Sequence, residues 1–164
     1  AYSRLGHMVR AVSIRERGAT ALQEKDGFYT LKGYQANGAG ELTSAMEDYL
    51  EMICRLLQDR ESVRVGDLSH MLHVKPSSVT KMIQHLSLSG YLRAEKYGEI
   101  YLTDKGRSAG GYLLYRHGVV HRFLCALNGT DNELEQAEKI EHFFNRTTVE
   151  NLERLTKRMA DGGL

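Results

Sequence analysis

Cysteines, prolines and long apolar runs are all scarce in this chain of 164 residues. The two cysteines, Cys54 and Cys125, are far apart and lie among apolar neighbours, which predicts buried free thiols and argues against a disulfide framework or a cysteine-rich metal site. No apolar run approaches the length of about 18 residues that spans a bilayer, and residues 1–17 lack the apolar core of a signal peptide. We therefore expect a cytoplasmic protein with no membrane partner.

The net charge is also small, only +1 at pH 7. This total excludes little, because it averages over regions, and an acidic metal site would offset a basic DNA-binding face. Residues 1–42 form a basic arm that ends in the linker-like stretch Ala36–Gly40. Within the arm, Gly27–Tyr34 could form a short strand, and the function of the arm is unassigned.

The spacing of apolar residues predicts three helices after the arm. The first is amphipathic and capped by Thr43 or Ser44, and the second is short, from about Gly66 to Leu72. The third begins at the only proline, Pro76, which suits a first helical position.

The rest of the chain is predicted to form a hairpin and three more helices. The hairpin strands are expected at Tyr91–Lys96 and Glu99–Thr103. A long helix follows, capped by Thr103 or Asp104 and ended by Asn128–Gly129. The next helix is expected from Asp131 to Phe144, and the last begins at a capping box, Thr147–Glu150. Three helices followed by a hairpin are typical of a winged helix-turn-helix.

The third helix and the hairpin tip carry the pattern of a DNA-binding surface. In a helix-turn-helix, the first turn of the second helix of the motif enters the major groove and needs short polar groups and a cation or two. Hydroxyls and the positive helix end favour phosphate oxygens, while Lys81 and Gln84 are long enough to reach base edges. A plain solvated helix face is the alternative interpretation. The candidate DNA-binding residues are Ser77, Ser78, Thr80, Lys81, Gln84, Lys96 and Tyr97, with Arg93 as a possible addition.

Two acidic clusters predict a cation site: Asp48-x-x-Glu51 on the first helix, and Glu138-x-x-Glu141-His142 on the penultimate one. Spacings of three and four residues put each set on one helical face. If the two helices meet, four carboxylates converge, which is unfavourable unless cations, two divalent ions for example, neutralise them. The alternative is a pair of solvated acidic faces.

Carboxylates with one or two imidazoles suit Mn(II) or Fe(II), and Zn(II) can also bind such a set. The long helix carries His117 and His121, and either could complete the site. The remaining histidines, His7, His70, His73 and His85, are expected on solvated surfaces.

The sequence resembles the diphtheria-toxin-repressor family of metalloregulators, and most closely its manganese transport regulator branch. The resemblance runs from about Ser44 to Leu155. It is carried by Ser44–Glu51, Pro76–Met82, Glu95–Tyr97, Leu102–Gly106, Tyr115–His117 and Glu138–His142.

The resemblance implies a two-metal centre in each subunit, with Glu51 and Glu141 as bridges, and it selects His117 over His121. Iron-responsive members typically have Met in place of Asp48 and Cys in place of Glu138, so two hard carboxylates here favour Mn(II), with Fe(II), Zn(II) or other divalent cations possible. The implied ligands are Asp48, Glu51, His117, Glu138, Glu141 and His142. The third, SH3-like domain of iron-type members is expected to be absent.

The expected fold class is mainly α: a winged helix-turn-helix DNA-binding domain (residues 43–112) followed by an all-helical, metal-binding dimerisation domain (residues 113–160). The expected function is metal-dependent repression by a homodimer that binds double-stranded operator DNA, with no small organic ligand. Two alternatives are a carboxylate-bridged di-metal enzyme of the ferritin-like type and a winged-helix regulator that senses no metal. The enzyme fits less well, because such bundles use Glu-x-x-His, whereas Glu138 and His142 are four apart.

Overall fold

The computed structural model describes residues 42–95 and 98–162, and these residues form six α-helices, one 3-10 turn and three short strands. The predicted arm with its possible strand, and the wing-tip residues Lys96 and Tyr97, lie outside the described residues. In chain order the elements are α1 (Ser44–Leu56), β1 (Val63–Arg64), α2 (Val65–Met71), α3 (Pro76–Leu88), β2 (Leu92–Ala94), β3 (Glu99–Leu102), α4 (Asp104–Asn128), α5 (Leu134–Ile140), the 3-10 turn Glu141–Phe143 and α6 (Arg146–Ala160).

Several helix ends follow from single residues, as the sequence predicts. Thr43 Oγ1 accepts the backbone N–H of Met46 at 3.3 Å and caps α1. Thr103 Oγ1 accepts the N–H of Gly106 at 3.0 Å and caps α4. Gly129 ends α4 in the left-handed conformation, with φ 65°, which a glycine adopts without steric cost.

The first core lies between α1, α2, α3 and the sheet. Each helix contributes one apolar face, such as Leu50 of α1, Leu68 of α2 and Leu86 of α3, all of which are fully buried. Burial of each such side chain contributes about 1.5–3 kcal/mol before the entropy of ordering is subtracted. The opposite face of α3 is left exposed to solvent.

The sheet is antiparallel with strand order β1-β3-β2. The hairpin was predicted, and β3 pairs with β2 in the register that places Arg93 opposite Tyr101. The additional strand, β1, pairs Val63 with Ile100 and was not predicted, because a strand of two residues has no period to detect.

A second, smaller core forms where α5 and α6 pack against the C-terminal half of α4. Its fully or nearly buried members are Val120, Leu124 and Ala137. Helix α4 runs without a break through residue 112, where the sequence analysis places a domain boundary, and both α1 and α6 pack against it. That boundary stays a prediction.

The C-terminal helices differ in detail from their predicted bounds. The predicted helix Asp131–Phe144 is shorter, because the chain tightens into a 3-10 turn after Ile140. The predicted capping box at Thr147 is wrong: Asn145 caps α6 instead, since its side-chain oxygen accepts the Thr148 N–H at 2.9 Å and starts the helix at Arg146.

Both cysteines are free thiols, but they are partly rather than fully buried. Cys54 lies at the α1–α4 contact, where only a glycine fits opposite it: a Cβ at Gly110 would lie 2.9 Å from Cys54 Cβ. Burial raises the pKa of the Cys54 thiol, so it is not an activated nucleophile. Among residues 42–95 and 98–162, none of the helices combines the length and apolar character needed to cross a membrane.

Candidate metal centre and DNA-binding surface

The six predicted metal ligands come from four elements that meet at one junction. Asp48 and Glu51 lie three residues apart on α1, and the remainder come from α4 and from the end of α5 with the following 3-10 turn. The structure brings all six together as two groups of potential donors, in each of which the donor atoms lie within 4.8 Å of one another. We call Glu51, His117 and Glu141 the inner cluster, and Asp48, Glu138 and His142 the outer cluster.

The inner cluster is buried. Glu141 is 1% exposed, Glu51 8% and His117 9%. His117 Nδ1 lies 2.9 Å from Glu141 Oε2 and 3.8 Å from Glu51 Oε1. The same nitrogen is 3.7 Å from Glu138 Oε2, so the outer cluster begins immediately beside the inner one. The bridging role expected for Glu51 and Glu141 stays a prediction.

The outer cluster is more open to solvent. Glu138 is exposed, whereas Asp48 and His142 are partly buried. His142 Nε2 lies 3.0 Å from Asp48 Oδ1, an ion pair that lacks the geometry of a hydrogen bond. This carboxylate oxygen and the ring nitrogen therefore point at the same small volume as the Glu138 carboxylate.

The electrostatics of both clusters favour a bound cation. Burial and the neighbouring Glu141 raise the pKa of Glu51, and burial, Glu141 and Asp48 raise the pKa of Glu138. Each carboxylate therefore lacks sufficient positive charge nearby, although Arg55 Nη2 lies 2.7 Å from Glu51 Oε1. Two carboxylates and one imidazole in each cluster form a donor set that fits a divalent ion such as Mn(II), Fe(II) or Zn(II).

This surplus of negative charge raises the pKa of both histidines. The adjacent carboxylates of Asp48 and Glu47 raise the pKa of His142 to about 10. The Glu141 carboxylate, which is hydrogen-bonded to His117, raises the pKa of that ring as well. The protonated His142 ring and the Arg55 and Arg116 side chains therefore place positive charge next to these carboxylates, and a metal ion would compete with that charge.

The structure separates the two candidate histidines of α4. His117 lies in the inner cluster, whereas His121 lies one turn further along and its Nε2 is 3.5 Å from Cys125 Sγ. His70, His73 and His85 are exposed on α2, α3 and the turn between them, as expected.

Two charged residues at the junction, Glu47 and Arg116, were not predicted from the sequence. Arg116 is only 3% exposed, and its Nη2 lies 2.8 Å from Glu47 Oε2 and 3.6 Å from Glu141 Oε1. The available signal was a single arginine within the apolar stretch of α4, directly before His117.

The predicted DNA-binding residues of α3 share one exposed face. Ser77, Ser78, Lys81 and Gln84 are all exposed, and Thr80 is exposed with its hydroxyl donating to the Pro76 carbonyl at 3.0 Å. Arg93 on the wing strand β2 is exposed, 5.7 Å from the centre of the Tyr101 ring. A polar first turn and an arginine-bearing hairpin are therefore present together, as a winged helix-turn-helix requires.

Known transcriptional regulators resemble this chain in sequence and in fold. The family model for the iron dependent repressor, N-terminal DNA binding domain, matches residues 41–100. The HTH-type transcriptional regulator MntR of Bacillus velezensis is 39% identical over 121 residues, which cover 73% of this chain and 84% of that protein. MntR of Bacillus subtilis (strain 168) is 40% identical over 112 residues, covering 67% and 78%.

Similar folds are found among solved structures of metal-responsive regulators. The manganese regulator SloR superposes with a TM-score of 0.62 at 29% identity, covering 71% of this chain and 55% of SloR. ScaR with bound Zn2+ superposes with a TM-score of 0.57 at 28% identity, covering 68% and 53%. The chain thus spans about half the length of these two solved proteins.

Proposed function

The chain belongs to the iron-dependent, or diphtheria-toxin-repressor, family of transcriptional regulators. From this premise we propose that it is a repressor that binds operator DNA as a homodimer. We propose that it does so when two Mn(II) ions fill the clusters of each subunit. SloR, which has a similar fold, is named a manganese regulator, and the sequence relatives are named HTH-type transcriptional regulators. The alternative expectation of a ferritin-like enzyme is wrong, since these relatives are transcriptional regulators. The cytoplasmic location stays a prediction.

One observation carries the proposal: the two clusters join the DNA-binding unit to the C-terminal helices. Asp48 and Glu51 lie on α1, which packs in the same core as the DNA-reading helix α3. Their cluster partners His117, Glu138 and His142 lie on α4, α5 and the 3-10 turn. A change at the junction therefore acts on both parts of the chain.

When bound, each cation would supply positive charge that neutralises the carboxylates of both sides. The protein's own side chains determine how the helices are held together. Asp48 and Glu51 hold α1 against the C-terminal helices, and the buried apolar face of α3 fixes that helix to α1. The position of α3 is thereby tied to the state of the clusters.

In a dimer, two copies of α3 must reach half-sites separated by about 34 Å, one turn of DNA, or by a multiple of that distance. Holding α1 in place would restrict this separation and remove a conformational cost from DNA binding. A coupling free energy of about 1–3 kcal/mol is typical of such regulation, and the same coupling makes DNA tighten metal binding.

The first prediction concerns this coupling. Operator affinity should rise by about 5- to 150-fold on adding Mn(II) to chelator-treated protein. The measurement is a fluorescence anisotropy titration, at fixed ionic strength, of a duplex that the Mn(II)-loaded protein selects from a random library. Equal affinities with and without Mn(II) would favour a winged-helix regulator that senses no metal.

A matched control separates DNA contact from metal binding. Lys81 is exposed on α3 and remote in sequence from both clusters, so Lys81→Ala should weaken DNA binding while leaving the Mn(II) stoichiometry unchanged. Loss of this positive charge from the DNA-binding face should also reduce the salt dependence of DNA binding by a slope of about 1.

A second prediction concerns metal choice. Asp48→Met replaces a hard carboxylate of the outer cluster by a soft thioether and removes one negative charge, so Mn(II) affinity should fall relative to Fe(II). Anaerobic calorimetric titrations with each ion measure the ratio. An unchanged ratio would contradict the assignment of Asp48 as the residue that favours manganese.

A further inference from the structure

Glu47 and Arg116 form an ion pair beside the clusters without belonging to either. Arg116 Nη2 lies 2.8 Å from Glu47 Oε2, and the arginine side chain is nearly inaccessible, at 3% exposure. An arginine stays protonated in proteins, and an unpaired buried charge is strongly unfavourable. Its burial here therefore requires Glu47, with Glu141 Oε1 as a second, more distant acceptor at 3.6 Å.

Glu47 remains a charged carboxylate in this setting. Its Oε2 lies 2.8 Å from Arg116 Nη2 and 2.7 Å from His142 Nδ1, so a guanidinium and an imidazole both face this carboxylate. The pair adds one negative and one positive charge to the junction. The balance between four ligand carboxylates and two divalent cations is therefore unaffected by it.

The imidazole of His142 lies between two consecutive residues of α1. Its Nδ1 is 2.7 Å from Glu47 Oε2, and its Nε2 is 3.0 Å from Asp48 Oδ1. Arg116 Nη2 also approaches Nδ1, at 3.1 Å. A carboxylate paired with an arginine only accepts, so the 2.7 Å contact places a proton on Nδ1, and Nδ1–H and Arg116 Nη2 both donate to Glu47 Oε2.

This arrangement decides which ring nitrogen is available to a cation. A metal-binding histidine usually donates its second ring N–H to a carboxylate or carbonyl, which fixes the tautomer and the ring orientation. With Nδ1–H donating to Glu47, the nitrogen that can exchange its proton for a cation is Nε2, which faces Asp48 in the outer cluster. Glu47 is absent from both donor groups of the described residues, in keeping with an orienting role.

We propose that Glu47 and Arg116 are positioning residues of the metal centre: Glu47 holds His142 with Nε2 directed at the outer cluster, and Arg116 fixes the carboxylates of Glu47 and Glu141. The pair connects α1, α4 and the 3-10 turn at one point, so it fixes the position of the outer cluster relative to the inner cluster. This inference rests on the metal-binding function proposed above.

The experiment compares the Glu47→Leu variant with the wild-type protein, both as the full chain. Removing an orienting partner of a metal ligand costs about 10- to 100-fold in metal affinity, so calorimetry should show one Mn(II) site weakened by that factor. A second readout is independent of affinity: in Zn(II)-loaded protein, ¹⁵N NMR should show His142 with a protonated Nδ1 in the wild type and without that fixed tautomer in the variant. Glu135→Leu, at an exposed position of α5, is the control and should leave both readouts unchanged.

The possible outcomes separate the two hypotheses. If the wild type binds no Mn(II), the proposed function fails. If it binds two ions and Glu47→Leu changes neither affinity nor tautomer, only the positioning role is overturned. Should the leucine variant not fold, Glu47→Gln replaces it: this weaker, neutral acceptor should lower Mn(II) affinity while keeping Nδ1 protonated, and an unchanged affinity overturns the proposal.

Discussion

Glu141→Gln is expected to abolish Mn(II) binding at the inner cluster. The Glu141 carboxylate is 1% exposed and meets His117 Nδ1 at 2.9 Å and Arg116 Nη2 at 3.6 Å. Glutamine keeps the shape but removes a negative charge and places an NH2 donor at one of the two oxygen positions. An amide donor facing a divalent cation is repulsive, and a site so well shielded from water cannot screen the loss.

The loss of Mn(II) binding is measurable as a smaller stabilisation of the folded state by Mn(II). A ligand present at 100 times its dissociation constant stabilises the folded state by about 2.7 kcal/mol per site. For a chain of this length, that corresponds to a rise of roughly 5–11 °C in Tm for each site. The wild type should show this rise with Mn(II), and Glu141→Gln should lose the share that the inner cluster provides.

Calorimetry completes the test, because the number of bound ions should fall from two to one or none. The matched control is Glu135→Gln, the same substitution on an exposed carboxylate of α5 that pairs with Lys139 outside both clusters. It should bind two ions. Two ions bound by Glu141→Gln with wild-type affinity would remove the inner cluster from the proposed function.

The parts of the fold that follow local rules were predictable from the sequence. Apolar periodicity located α1 to α4, Thr43 and Thr103 were each one of two candidate caps, and Gly129 was expected at the end of α4. The strand β1 was not predictable, since its two residues are held only by pairing with β3, a contact between residues far apart in the chain.

The metal clusters show both the strength and the limit of spacing arguments. Glu138 and Glu141 were placed on one helical face, but the helix ends at Ile140 and Glu141 begins a 3-10 turn. Their alignment survives, because residues three apart lie on one side in a 3-10 helix as well as in an α-helix. The choice of His117 over His121 came from the family resemblance, since one turn of α4 separates them and only the docking of α1 distinguishes the two.

Glu47 and Arg116 could not be identified in the same way. On α1, Glu47 looks like one more acidic residue beside Asp48, and its importance arises from a buried arginine 69 positions later. Such a pair is a property of how helices dock. The local pattern can point to a buried arginine, but it does not show which acidic residue pairs with it, which is why the missed residues are those that position the ligands rather than the ligands themselves.

Gly106→Ala is expected to destabilise the protein by about 3 kcal/mol, the upper part of the range for overpacked sites. Gly106 lies in the first turn of α4, where an added Cβ would be 2.0 Å from the Tyr91 carbonyl oxygen and 3.1 Å from Leu102 Cδ2. That oxygen cannot easily move, because it accepts the backbone N–H of Thr103 at 3.1 Å. The clash would therefore push α4 away from the base of the wing.

The control is a glycine of the same helix with open space around it. Gly111 has nothing within 4 Å of an added Cβ, so Gly111→Ala should stabilise α4 by up to about 1 kcal/mol through helix propensity alone. Urea unfolding of both variants in the presence of a chelator measures the two effects without a contribution from metal binding. Because the same chemical change is expected to act with opposite signs at positions five residues apart, equal effects would show that the close contact between α4 and Tyr91 does not exist in solution.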